Sequence, residues 1–155
     1  NNMDTFLNAV VDASLEMQCC ITAAEAAGLG CAPISQVRNR MEEFCVALDI
    51  PDGGFPIAGL TLGFPAWEGR MNARLPIDAV IHREKYDDSN LDNLIKAYDR
   101  RRHESNPIGP ENQRHADKYG VSDRCTWSEN VARQLSVAER PGFRDFLLKN
   151  GFELD

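Results

Sequence analysis

The sequence is short of positive charge, of paired cysteines and of long apolar runs. Seventeen Lys and Arg stand against 24 Asp and Glu, a net charge of −7. That balance excludes the broad basic face that nucleic acid or an anionic membrane surface requires. No apolar run approaches the roughly 20 residues of a membrane-spanning helix. The five cysteines are the adjacent Cys19 and Cys20, then Cys31, Cys45 and Cys125, with no Cys-x-x-Cys among them. This spacing excludes a zinc site or disulfide framework and reads as reduced thiols in a cytoplasmic protein. The opening Asn1-Asn2-Met3-Asp4 lacks the charged-then-apolar pattern of a secretory signal. There is no internal repeat, no glycine-rich phosphate loop and no Ser/His/Asp or Cys/His catalytic arrangement.

What is present is helix signal. The 155 residues, 43% hydrophobic, suit one soluble domain or part of a larger one. Phe6, Val10, Ala13, Met17, Cys20, Ala24 and Ala27 recur at helical steps, and Val11 and Ile21 widen the stripe, predicting a long helix buried on more than one side. Gly28 supplies its stop. A second helix is predicted over 36–48, with Ser35 as N-cap and Val37, Met41, Phe44 and Leu48 inward. The run Phe55 to Phe64 reads as a buried strand after the turn Pro51-Asp52-Gly53-Gly54, and Ala79 to Ile81 as a second short extended piece. Ser89-x-x-Asp92 opens a helix that places Leu91, Leu94, Ile95 and Tyr98 inward. The polar stretch 100–123 has little periodicity and reads as a linker or mobile arm. Thr126-Trp127-Ser128-Glu129 has capping-box spacing ahead of a helix to about Leu135. A last helix starts at Pro141 and ends at Gly151, with Phe152 packing back on its final turn. The expected class is α+β, mostly helical with one or two strands, and the strand has no evident pairing partner.

Few residues carry a chemical signal. The first N–H groups after Ser35 form a helix end suited to an anion or a carbonyl. Arg74, in Asn72-Ala73-Arg74-Leu75-Pro76, either forks onto a phosphate or holds a loop carbonyl. Asp88-x-Asn90-x-Asp92 imitates the start of a calcium loop, but Asn93 stands where glycine is needed and Asp99 where glutamate is, so calcium is rejected. His82, His103 and His115 have no metal-ligand spacing. The cluster Arg100-Arg101-Arg102-His103 suits the negative end of a helix dipole, or a 2′-phosphate. Trp67 and Trp127 read as packing residues.

The order of segments resembles a known family. Ala23-Ala24-Glu25-Ala26-Ala27-Gly28-Leu29-Gly30, then Ile34 and Arg38-Asn39, are similar to the central part of FMN-dependent nitroreductases and NAD(P)H–flavin oxidoreductases. Leu60-Thr61-Leu62-Gly63-Phe64-Pro65 resembles their strand ending in Gly-aromatic-Pro. Ala73-Arg74-Leu75-Pro76 followed by Val80-Ile81-His82-Arg83-Glu84-x-Tyr86 is similar to their Lys-Pro-Arg-Leu-Pro loop and its sequel. Thr126-Trp127-Ser128, Glu139-Arg140-Pro141 and Gly151 point to the NADPH-dependent oxidoreductase branch. The likeness spans nearly the whole chain and is weakest over 100–123.

The resemblance implies a nitroreductase-like fold, of which 1–155 would be a C-terminal part, since family members carry roughly a hundred more residues at the front. It implies bound FMN, NAD(P)H as co-substrate, a small-molecule electron acceptor and an interlocked homodimer, for which the Met17–Ala27 face is a candidate. Arg74 matches the family arginine on the FMN phosphate. Pro33, Ile34, Ser35 and Gln36 match the backbone lining the flavin, and Asn72 stands where the family has a phosphate-binding lysine. Pro33 and Ser35-Gln36 also replace an aromatic and a glycine pair. These departures support a second reading, a cofactor-free structural or partner-binding module of the same fold. A third is other flavin chemistry, such as dehalogenation or flavin fragmentation.

Overall fold

The computed structural model describes residues 2–154. In chain order the elements are α1 (Met3–Ala26), β1 (Gly30–Ile34), a 3-10 helix (Ser35–Asn39), α2 (Met41–Ala47), β2 (Gly59–Gly63), a 3-10 helix (Ile77–Ala79), α3 (Leu91–Ser105), a 3-10 helix (Pro110–Asn112), α4 (Ala116–Tyr119), α5 (Trp127–Leu135) and α6 (Phe143–Lys149). The class is α+β and helix-rich, as expected. The chain divides into two compact units, Asn1–Glu68 with Arg140–Asp155, and Gly69–Glu139.

In the first unit, α1 begins at Asn2, whose side chain accepts from the Thr5 N–H at 2.9 Å. It ends with Gly28 at φ +80° and the Leu29 N–H on the Ala24 carbonyl at 3.0 Å, the Schellman closure that the glycine predicts. The helix is not buried on more than one side. Phe6, Val10, Ser14, Met17, Ile21 and Ala24 form the sheltered stripe, while Ala13, Cys20, Ala27 and Val11 are exposed. Among the described residues of this unit, only the stripe that holds Phe6, Val10 and Ala24 is sheltered.

β1 answers the missing strand partner. It pairs antiparallel with β2, Gly30 opposite Gly63 through Ile34 opposite Gly59. The strand read over Phe55–Phe64 is thus shorter, and its outer half is open, with Leu62 and Phe64 exposed. Two strands cannot bury both faces of a ribbon. The helix expected over 36–48 is interrupted at Arg40, at φ −137° and ψ 51°, so a 3-10 turn precedes α2. Ser35 is not a cap: Ile34 holds that position, without a side-chain hydrogen bond. Met41 is buried as expected, but Phe44 and Leu48 are exposed.

The core of this unit is Met41, Phe146, Leu147 and Phe152, with Phe6, Cys45, Phe55, Phe143 and Leu154 packed on it. Burying each large side chain contributes about 1.5–3 kcal/mol. Phe152 reaches this cluster because Gly151 turns the chain at φ +83°, and the Phe152 N–H closes on the Leu147 carbonyl at 3.1 Å. α6 starts two residues after Pro141, behind Gly142.

In the second unit, Ile77–Ala79 is a 3-10 turn rather than the start of an extended piece. Asn90, not Ser89, precedes α3, and Leu91, Leu94, Ile95 and Tyr98 face inward as the periodicity requires. The segment read as a mobile arm carries the end of α3, a 3-10 turn and α4. It is also tied by side chains. Buried Gln113 donates to the Ser122 carbonyl and accepts from the Ser122 N–H, both at 2.8 Å. Arg133, also buried, donates to the Gly120 carbonyl at 2.7 Å and pairs with Glu129 at 2.6 Å. The Thr126 hydroxyl caps α5 by accepting from the Glu129 N–H at 3.2 Å. The Glu129 carboxylate goes to Arg133, so only half of the capping box forms. The rest of the cap comes from α3: buried Asp99 accepts from the Ser128 N–H at 3.0 Å and from its hydroxyl. The Tyr98 and Trp127 rings meet edge to face, 5.0 Å apart.

Candidate functional site

Four of the six residues singled out lie together in the first unit. Pro33 and Ile34 end β1, opposite Leu60 and Gly59, and Ser35 and Gln36 open the 3-10 turn. Pro33, Ser35 and Gln36 are exposed; Ile34 is half-buried. The N–H groups of Ser35 and Gln36 precede the first bonds of the turn, and among the described residues neither donates to a backbone acceptor outside it. The free donors inferred from an N-capped helix therefore exist at the same residues, produced by a tighter turn.

Two contacts fix that turn. Arg38 Nη1 donates to the Ile57 carbonyl, and Asn39 Oδ1 accepts from Arg140 Nε at 2.8 Å. Gly59 permits the close approach of turn and ribbon, since a Cβ there would lie 3.1 Å from Val37 Cγ1.

Asn72 and Arg74 lie in the second unit, on the loop that precedes the Ile77–Ala79 turn, and both are exposed. Backbone anchors hold this loop. Tyr98 Oη donates to the Ala73 carbonyl at 3.2 Å and Arg101 Nη2 to the Arg74 carbonyl at 3.1 Å. The Arg74 guanidinium has no carboxylate partner among the described residues. A fixed backbone carrying an unpaired, exposed guanidinium suits a bidentate oxyanion. Tyr98 and Arg101, which hold the backbone of the Arg74 loop, are residues that sequence reasoning missed. Their signal was the i, i+3 spacing on one face of α3, where Tyr98 was read as core alone and Arg101 as part of a basic cluster.

The remaining chemistry is quiet. Among the described residues no group of three or more His, Cys, Asp or Glu could hold a metal ion. All five cysteines are free thiols, and partial burial raises Cys31, Cys45 and Cys125 above the ordinary thiol range, away from the nucleophilic thiolate. His82 Nδ1 accepts from the Asp87 N–H at 3.3 Å. Among the described residues no helix is long and apolar enough to cross a membrane.

The sequence pattern described as "Nitroreductase family, C-terminal domain" matches residues 72–155, the segment carrying the Arg74 loop, α3 and α5. The chain belongs to the nitroreductase family. Its relatives extend the likeness to the first unit. It is 33% identical over 156 residues to the FMN reductase [NAD(P)H] of Bacillus subtilis, covering 100% of this chain and 59% of that protein. It is 33% identical over 152 residues to the Cr(VI) reductase of Pseudomonas sp., covering 98% and 59%. The solved structure of the hypothetical oxidoreductase YcnD from Bacillus subtilis aligns with a TM-score of 0.85 at 31% identity, over 100% of this chain and 59% of that one. The chain thus spans about three-fifths of the length of the curated relatives it matches. A nitroreductase fold is therefore established for the chain.

Proposed function

We propose that the protein is an FMN-dependent NAD(P)H oxidoreductase of the nitroreductase family. The observation that carries this reading is Arg74, an unpaired guanidinium on an anchored loop inside the segment that matches the family. The names of its relatives, an FMN reductase and a Cr(VI) reductase, support flavin-mediated electron transfer.

The residues present fit the cofactor. Arg74 would neutralise the FMN phosphate, and Asn72 would add a neutral donor where the family places a second cation. The free N–H groups of Ser35 and Gln36, with the backbone of Pro33 and Ile34, would face the ribityl chain or the ring. FMN when bound supplies the redox chemistry, accepting hydride from NAD(P)H and passing electrons to a nitroaromatic, quinone or flavin acceptor. This chain binds and orients it, and no catalytic acid or base is assigned. Pro33 offers no N–H to the flavin and Asn72 no charge to the phosphate, so affinity rests chiefly on Arg74.

A homodimer is part of the reading. α1 exposes Met3, Leu7, Val11 and Leu15 along one line, and its later turns expose Cys19, Cys20, Ala23 and Ala26 on the Met17–Ala27 face. Exposed apolar residues in line on one helix are the kind of surface that a partner covers. We place the protein in the cytoplasm on its free thiols.

The test is the protein from its natural reading frame, supplied with FMN. Visible flavin absorption that survives gel filtration, NADPH oxidation with a quinone or nitroaromatic acceptor, and loss of FMN affinity by tenfold or more in Arg74→Ala are expected. A folded, colourless protein that leaves NADPH untouched would favour the cofactor-free module instead.

A further inference from the structure

Unit one contains a cavity of about 330 Å³ lined by Phe6, Val10, Arg38, Phe55, Ile57 and Phe143. Its walls are nearly all apolar. The rings are already arranged against each other, Phe6 stacked on Phe55 at 5.5 Å and Phe143 edge-on to Phe55 at 6.1 Å. Packing of this kind presents both faces and edges to a planar guest. The volume falls at the lower end of the range for small-molecule pockets, and is about twice that of an engineered cavity that accepts benzene.

The one charged group in this wall is Arg38. It is half-buried, and its only partner among the described residues is the Ile57 carbonyl, a single neutral acceptor for one of five N–H donors. The nearest acidic candidates on the next helix do not answer it. Glu43 is engaged by Arg40 through both carboxylate oxygens, and Glu42 is exposed with no ion pair among the described residues. A guanidinium partly withdrawn from water without a counter-charge is costly, and an apolar wall around it raises the value of an anion that arrives with its own apolar body.

We propose that this cavity binds a small aromatic carboxylate, one or two fused rings in size, with the ring among Phe6, Phe55 and Phe143 and the carboxylate on Arg38. The pocket adjoins the turn that carries Ser35 and Gln36, because Arg38 belongs to that turn, and its ligand is distinguished from the proposed flavin by titration with FMN present and absent.

The probe is 2-naphthoate, titrated by calorimetry and by saturation-transfer NMR into the protein as it exists, with FMN present and absent. Expected is saturable binding, weakened about tenfold or more for the neutral isostere 2-naphthalenemethanol, as loss of a charge-assisted pair requires. Val10→Phe, which fills the cavity from α1, should abolish binding while the melting temperature is kept. Arg38→Lys should retain part of the affinity and Arg38→Met lose it. Because Arg38 also ties the turn to Ile57, Val10→Phe is the decisive variant if Arg38→Met unfolds. No saturable binding by the native protein, equal binding of the neutral isostere, or binding unchanged in Val10→Phe would overturn the proposal.

Discussion

Arg101 donates to the backbone carbonyl of Arg74 at 3.1 Å, so the arginine proposed to grip a phosphate is itself held in place by another arginine. Tyr98, one turn earlier on α3, does the same for Ala73 at 3.2 Å. The loop is thereby pinned by its main chain while the Arg74 side chain stays free. Pre-setting a binding group in this way lowers the ordering cost of binding rather than adding a contact.

Arg101→Met and Tyr98→Phe should each weaken FMN binding about three- to tenfold, the worth of one hydrogen bond lost from the support. Flavin fluorescence titration reads this. Melting temperatures should move little in Arg101→Met, whose side chain is exposed. An unchanged dissociation constant in both variants would remove them from the site.

Asp99 is the main polar fastening of the second unit. Its carboxylate receives the Ser128 N–H and hydroxyl at the start of α5. Asp99→Ala should cost about 2–4 kcal/mol, from a lost cap and the buried donors left behind. Asp99→Asn, which keeps one acceptor, should cost less. Urea unfolding measures both.

Phe152 joins the core only because the chain turns left-handed at Gly151. Phe152→Ala should destabilise by about 3–5 kcal/mol through cavity formation. Gly151→Ala should cost about 1 kcal/mol for the positive φ alone. Denaturant midpoints with unchanged slopes would confirm that both act on the native state.

Asp87 offers a pH signature. Its carboxylate accepts from the Ser89 N–H at 3.0 Å, and hydrogen bonding to Ser89 holds it below the usual carboxylate range. A depressed folded value means the contribution is present above the ordinary value of about 4 and is lost as pH falls below it. Asp87→Asn should therefore show a slightly shallower fall in melting temperature on acidification than the native protein. Parallel profiles across that range would count against the contact in solution.

Much of the helical fold was legible because its punctuation is local. Gly28 and Gly151 mark helix ends, Thr126 marks a beginning, and each does so in the structure. The interrupted turn at Arg40 was not legible: Val37, Met41, Phe44 and Leu48 keep a helical period straight across it, while the ties on the turn, Arg38 to the Ile57 carbonyl and Asn39 to Arg140, reach far along the chain. β1 itself, Gly-Cys-Ala-Pro-Ile, contains two residues that disfavour strands. The tethers within 100–123 are single side chains, Gln113 and Arg133, that no periodicity advertises. At the candidate site, Ser35, Gln36 and Arg74 are proposals that the sequence itself suggests. Their supports, Arg38, Tyr98 and Arg101, were not legible in it, because each acts on a backbone carbonyl far along the chain.

Position 59 deserves the engineer's interest for what it omits. An alanine methyl there would crowd Val37 Cγ1 at 3.1 Å while meeting Ile34 Cβ at an ordinary 3.7 Å, so Val37, on the 3-10 turn, must give by a few tenths of an ångström. The donors of Ser35 and Gln36 ride on that turn, so one carbon atom would re-aim them without touching any ligand. Gly59 thus works as a shim of zero thickness, and adding thickness there is a way to tune alignment while every contacting residue stays as it is.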